Sequence, residues 1–189
     1  MMDYSELIAE TVERTGDSGA PARASLYLQF AENDLTKRLR VGGNETVTTV
    51  TTDASGNADL PSDFGELRSL FINGQPSRNT GLPSDTDKLT PGYVIQGDVL
   101  LTTYANTDVV LHYYAAIPSL EIAGTNWLIE AEPEAYIYAM MRQVYLAKLD
   151  TEKAAACDVV LTNIIGEIHR ADRIKRFGKL PYRVAGVNP

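Results

Sequence analysis

The sequence predicts an α+β fold: a helical bundle of about four helices, an inserted β-rich subdomain and an extended C-terminal tail. Three observations predict it. Apolar residues recur at helical spacing near both ends of the chain. Between them, from about residue 43 to 116, β-branched residues alternate with two-residue turn signals. After Phe177 the periodicity stops. The expected organisation is a bundle from residues 1–42 and 117–176, a β insertion over 43–116 and a docking tail over 177–189.

The first helix is expected from Tyr4 to Arg14. Asp3 followed by Glu6 makes a capping-box start, and Tyr4, Ile8, Thr11 and Val12 share a face. Pro21 suits the first turn of a second helix. Its stripe is Ala24, Leu28, Ala31, Leu35 and Leu39, widened by Tyr27 and Phe30, and Gly42-Gly43 is expected to end it.

The strands follow. Glu45 to Thr52 is too β-branched for a helix. Ala54 to Asn57 reads as a turn returning to Ala58–Pro61. Glu66 to Ile72 leads into Asn73-Gly74, a strong hairpin signal. Tyr93–Gln96 and Val99–Thr103 flank Gly97-Asp98 as a second hairpin, and Asp108–Ala115 completes about six strands. Ser77 to Gly92 reads as loop.

Helical grammar returns after Pro118. Asn126-Trp127-Leu128-Ile129 begins a short helix, and Pro133 opens a longer one lined by Ile137, Met140, Met141, Val144 and Tyr145. Asp150-Thr151 is a connection so tight that the next helix must run antiparallel. That last helix carries Cys157, Val160, Leu161, Ile164, Ile165 and Ile168 inward. Gly166 inside it costs about 1 kcal/mol relative to alanine, so a close helix contact is expected there.

Composition narrows the function classes. Of 189 residues, 44% are apolar and 22% charged, which excludes collagen-like, coiled-coil and wholly disordered chains. No apolar run approaches the ~20 residues of a membrane span. The acidic N-terminus is not a signal peptide, so the chain is expected to be soluble and made in a cytoplasm. With one cysteine there is no disulfide framework or Cys-cluster metal site.

The catalytic and metal signals are weak. No phosphate-binding glycine loop, zinc-helix motif or nucleophile elbow occurs. His112 and His169 stand without ligand spacing. Asp85-Thr86-Asp87 starts like a calcium loop, but Thr90 replaces the required glycine and Gln96 the bidentate glutamate. Glu130, Glu132 and Glu134 alternate as a conceivable carboxylate site, though helix-dipole and solvent roles explain them. Asn44-Glu45-Thr46 matches a glycosylation sequon without a secretory context. No enzyme and no cofactor is expected.

Charge is more informative. The net charge of −8 disfavours a general nucleic-acid binder. From Ile168 to Pro189, however, Arg170, Arg173, Lys175, Arg176, Lys179 and Arg183 stand against Asp172 alone, giving +5 and leaving −13 on the rest. Phe177, Leu180, Pro181 and Tyr182 alternate with those cations. A solvated helix end or a nucleic-acid contact would also use the charge, but the apolar and aromatic groups favour a docking segment.

Several separated stretches resemble, in order, the head-to-tail adaptor (connector) proteins of tailed bacteriophages. They are Ala31 to Arg40, Gly56 to Arg68 with Asn73-Gly74, Tyr93 to Leu100, and Leu111 to Ala115. Thr125-Asn126-Trp127-Leu128 with Pro133 to Ala139, and the helix ending Arg170 to Arg173, complete the set. The resemblance implies a non-enzymatic virion protein at the portal vertex. It would form a ring, typically twelve copies, beneath the portal protein, extend the DNA channel and offer an attachment surface to tail or nozzle proteins. Genomic DNA would pass without sequence-specific binding, and the C-terminal helix and tail would dock into the portal. The alternatives are a tail-completion or stopper protein, a nucleic-acid-binding module using the basic tail, and a hydrolase using the glutamate cluster.

Overall fold

Local signals set the first helix. In the computed structural model, which describes residues 2–79 and 92–178, α1 (Tyr4–Thr15) opens on a capping box. Asp3 Oδ1 accepts the Glu6 amide at 2.8 Å, and Glu6 Oε2 accepts the Asp3 amide at 2.9 Å. Gly16, at φ 62°, ends the helix. Its fully buried residues are Leu7 and Thr11; Thr11 belongs to the stripe read from the sequence, whereas Tyr4, Ile8 and Val12 are only half-buried and Leu7 takes the centre.

A 3-10 turn at Ala20–Arg23, started by Pro21, leads into α2 (Ala24–Arg38). Tyr27, Leu28, Ala31 and Leu35 face the core, whereas Phe30 is 48% exposed and does not widen the stripe. The helix also stops four residues before Gly42, at Arg38. Leu39 is extended (φ −97°, ψ 112°), and Leu39 and Val41 are both buried. Burying these two side chains, with the backbone extended at Leu39, ends the helix earlier than the glycine signal.

After Pro118 come α3 (Leu120–Ala123), α4 (Trp127–Ala131), α5 (Pro133–Ala147) and α6 (Thr151–Phe177). Asn126 caps α4, its Oδ1 accepting the Leu128 and Ile129 amides at 3.1 Å each. Its Nδ2 donates to the Pro118 carbonyl and to Tyr136 Oη, both at 2.7 Å. Helix α5 packs against α1, α2, α4 and α6. Helix α3 has no strong sequence signal. It is held by the Glu32 carboxylate, 8% exposed, which accepts the Leu120 amide at 2.8 Å across 88 residues.

The strands are β1 (Glu45–Thr51), β2 (Asn57–Asp59), β3 (Phe64–Ile72), β4 (Gln75–Pro76), β5 (Arg78–Asn79), β6 (Gly92–Gln96), β7 (Val99–Thr102) and β8 (Asp108–Ala115). They form two four-stranded sheets, ordered β1-β8-β3-β4 and β2-β7-β6-β5. Leu70, Ile72, Val109, Leu111, Tyr113 and Ala115 from the first sheet form a buried cluster with Leu100 from the second. Both expected two-residue hairpins form, at Asn73-Gly74 (φ 50° and 76°) and at Gly97-Asp98 (Gly97 φ 61°).

Two readings are corrected. The turn at Ala54–Asn57 does not fold β2 back on β1; β2 pairs with β7 in the other sheet. Asp53 Oδ1 accepts the Ser55 and Asn57 amides, and Gly56, at φ 84°, fits so closely that a Cβ would lie 2.2 Å from the Thr102 carbonyl oxygen. The stretch read as loop contains β5, which runs parallel to β6. Residues 80–91, including the Asp85-Thr86-Asp87 motif, lie outside the described residues.

The chain is thus mixed α+β, in two compact units: Met1–Gly42 with Pro118–Pro189, and Gly43–Ile117.

Candidate docking surface

The basic residues singled out in the sequence sit at the end of α6. At 1.5 Å per residue, this 27-residue helix is about 40 Å long. Asp150 caps its start, accepting the Lys153 amide at 3.1 Å, and the pairing with that cation and amide holds the Asp150 carboxyl below its ordinary pKa. Ala154, Cys157, Leu161 and Ile165 recur on the buried side. Burial pushes the Cys157 thiol pKa up, which suits a core residue and not a nucleophile.

A polar seam runs beside that apolar face. Arg38 and Arg142 alternate with Asp34 and Asp158 in a four-membered ion cluster spanning α2, α5 and α6. The Arg38 contacts to Asp34 and Asp158 are 3.3 and 2.9 Å; those of Arg142 are 3.6 and 3.3 Å. Further along α6, His169 Nε2 lies 3.0 Å from the Arg38 carbonyl. Asp172 then accepts the Gly42 amide at 2.9 Å on Oδ1 and pairs with Arg176 Nε at 2.7 Å on Oδ2. The far end of the helix is therefore tied to the exit of α2.

This seam sorts the sequence-predicted residues. Arg176 is turned inward, its guanidinium held by Asp172 beside Gly42. Arg170, Arg173, Lys175 and Phe177 are exposed, Phe177 by 66% as the last helical residue. Arg170 makes an exposed contact to Glu167 at 3.4 Å, weak at that distance and exposure. Arg170 and Arg173 line an open groove of about 650 Å³ with Glu132, Asn163, Gly166 and Glu167. Lys179, Leu180, Pro181, Tyr182 and Arg183 lie outside the described residues.

Gly166 does not make the close helix contact its position suggested; among the described residues, nothing beyond its chain neighbours and its own helix backbone lies within 4 Å of where its Cβ would be. It forms part of the groove instead. No periodicity in the sequence reveals Arg176's inward turn, because Asp172 four residues earlier is only one of several partners a surface arginine could take.

The remaining candidates are dispersed. Glu130 accepts the Thr125 hydroxyl at 2.9 Å, Glu132 precedes α5 and Glu134 lies in its first turn. Among the described residues no three His, Cys, Asp or Glu side chains gather as a metal site, and no helix is long and apolar enough to cross a membrane. His112 stacks at a tilt on Phe71, with centroids 5.4 Å apart. Asn44 of the sequon is buried, a poor position for glycan attachment.

A comparison with protein-family models matches the SU10 adaptor protein family over residues 2–184. The chain belongs to that family. It is one of phage head-to-tail adaptors, which makes this chain a structural adaptor of the virion that meets other virion components at the head-tail junction. No curated protein matches the chain. The family match covers both the helical and the β unit, as well as most of the basic C-terminal segment.

Proposed function

We propose that this adaptor forms a ring, of about twelve copies as the family resemblance implies, beneath the portal protein. The ring extends the DNA channel, and its distal surface receives tail or nozzle proteins. The chain acts as a scaffold without catalysis, and DNA passes through without sequence-specific binding.

One observation carries the portal assignment. At the end of α6 the structure separates one inward cation, Arg176, from outward Arg170, Arg173, Lys175 and Phe177. The outward set continues in sequence into Lys179, Leu180, Pro181, Tyr182 and Arg183. Cations interleaved with apolar groups suit a cleft with an acidic rim and an apolar floor. The −13 carried by the rest of the chain suits a conduit from which DNA is repelled.

The test is a truncation after Arg176. The shortened protein should keep its circular dichroism and melting midpoint yet lose binding to the portal protein; undiminished binding overturns the assignment. Charge reversal at Arg170 and Arg173 should weaken binding without abolishing it. A salt titration separates this reading from DNA binding by the same segment. DNA affinity falls steeply with salt, whereas docking supported by Phe177, Leu180 and Tyr182 persists.

A further inference from the structure

An open groove of about 650 Å³ runs along the second half of α6, within the helical unit. Half-buried Ile164, Gly166, the carboxylates Glu132 and Glu167, and the guanidinium groups of Arg170 and Arg173 contribute to its lining. The volume falls in the range of clefts that bury a ligand. Gly166 keeps the groove wide. A side chain there would take space from it, because among the described residues only the glycine's chain neighbours and own helix backbone lie within 4 Å of the Cβ position. A glycine inside a helix costs about 1 kcal/mol relative to alanine, and no packing contact among the described residues accounts for this one.

The chain itself supplies an occupant. The described part ends at Gly178, whose φ of 66° lets the backbone turn away from the helix axis. Eleven residues follow, Lys179 to Pro189. Fully extended, they reach about 36 Å. Gly166 lies twelve residues back along α6, about 18 Å from Gly178. About six residues of tail therefore suffice to reach it. A tail laid back along the helix sets Tyr182 near Arg170 and Arg183 near Glu167. The chemistry matches at those positions. A ring over a guanidinium gains a cation–π contact, a guanidinium beside a carboxylate gains a charge-assisted bond, and Leu180 and Val184 bring apolar surface. Lys179 falls beside Lys175 and Arg173, a like-charge contact that keeps the hold weak enough to be displaced.

We propose that in the free chain the segment after Gly178 folds back over this groove of its own copy, and that portal docking displaces it. The device is autoinhibitory. Leu180, Tyr182 and Arg183 are either held on α6 or offered to the portal, never both. The fold-back stands on the groove and the reach of the tail, whereas its regulatory role rests on the portal reading above. The closed form lowers the apparent portal affinity in proportion to the fraction of chains that are open. The competing occupants are the tail of a neighbouring copy and the portal itself, and the test separates all three.

Gly166→Leu fills the groove and replaces a poor helix former by a good one, so the variant should melt no lower than wild type. Limited trypsin digestion of the full chain, followed by mass, should cut after Lys179 and Arg183 about fivefold faster in this variant. Glu167→Gln, on the exposed side of α6, should act in the same direction by a smaller factor. In the double variant Gly166→Cys with Val184→Cys, mild oxidation should give a disulfide within one chain, and buried Cys157 does not compete. Equal digestion rates in wild type and both groove variants, or a disulfide found only between two chains, overturns the proposal. Gly166→Leu should also bind the portal protein severalfold more tightly, because no closed form has to open. Weaker binding by a variant that melts normally makes the groove a portal contact and overturns autoinhibition. If the wild type binds no portal protein, the portal reading falls, while digestion and cross-linking still decide the fold-back.

Discussion

The helical unit and the β unit are held together by different chemistry. In the helical unit, polar side chains bond backbone groups outside their own helices: Glu32 the Leu120 amide and Asp172 the Gly42 amide, across 88 and 130 residues, and Asn126 the Pro118 carbonyl eight residues earlier. In the β unit the backbone satisfies itself through the ladders, and the interior is an apolar cluster. The difference teaches where each unit is vulnerable. One depends on single polar atoms placed correctly, the other on filled volume.

Truncation in the β cluster should have the largest effect. Leu111→Ala, at a fully buried position, is expected to cost about 2–5 kcal/mol in denaturant unfolding. A cost below that of an exposed-position control would show that the cluster does not carry the unit. Next comes Asn126→Ala in the helical unit. It removes the α4 cap and leaves Tyr136 Oη without its 2.7 Å donor, an expected loss of about 2 kcal/mol. Asn126→Asp keeps the cap acceptor but loses the two donated bonds, so its unfolding midpoint should fall between those of alanine and wild type.

Glu32 sharpens the comparison through pH. Burial raises its carboxyl pKa above the ordinary 4.5, against the Leu120 amide, which favours the charged form. With the folded pKa above the unfolded one, the folded chain holds the proton more tightly between the two values. Stability is then lost as pH rises through the raised pKa. Glu32→Gln keeps an acceptor for Leu120 and removes the titration. Its thermal midpoint should therefore vary less than wild type over that interval, and a parallel pair of curves would sink the assignment. The smallest effect is expected at the ion cluster. Arg142→Met should cost about 1 kcal/mol or less, shrinking as salt is added, because its partners are partly solvent-exposed.

What was legible in the sequence was local. The Asp3–Glu6 capping box, Asn126 before α4, Pro133 at the start of α5 and the Asn73-Gly74 hairpin each act over about four residues, and each forms as read. The family resemblance was legible for a related reason, as a string of short stretches in a fixed order. The failures share a cause as well. Helix α3, the early end of α2 and the departure of β2 to the second sheet all depend on partners far away in the chain. At the docking surface, composition located the basic segment, but equal-looking arginines at 170, 173 and 176 have different fates.

The sequence by itself determined most element types and most of their starts, the uneven charge and the adaptor family, because caps, turns and composition act through neighbouring residues. Only the tertiary structure decided that Arg176 is tied inward while Arg170 and Arg173 face a groove. That depends on which distant backbone groups already have partners, and a hydrogen bond across the fold leaves no periodic trace in the chain.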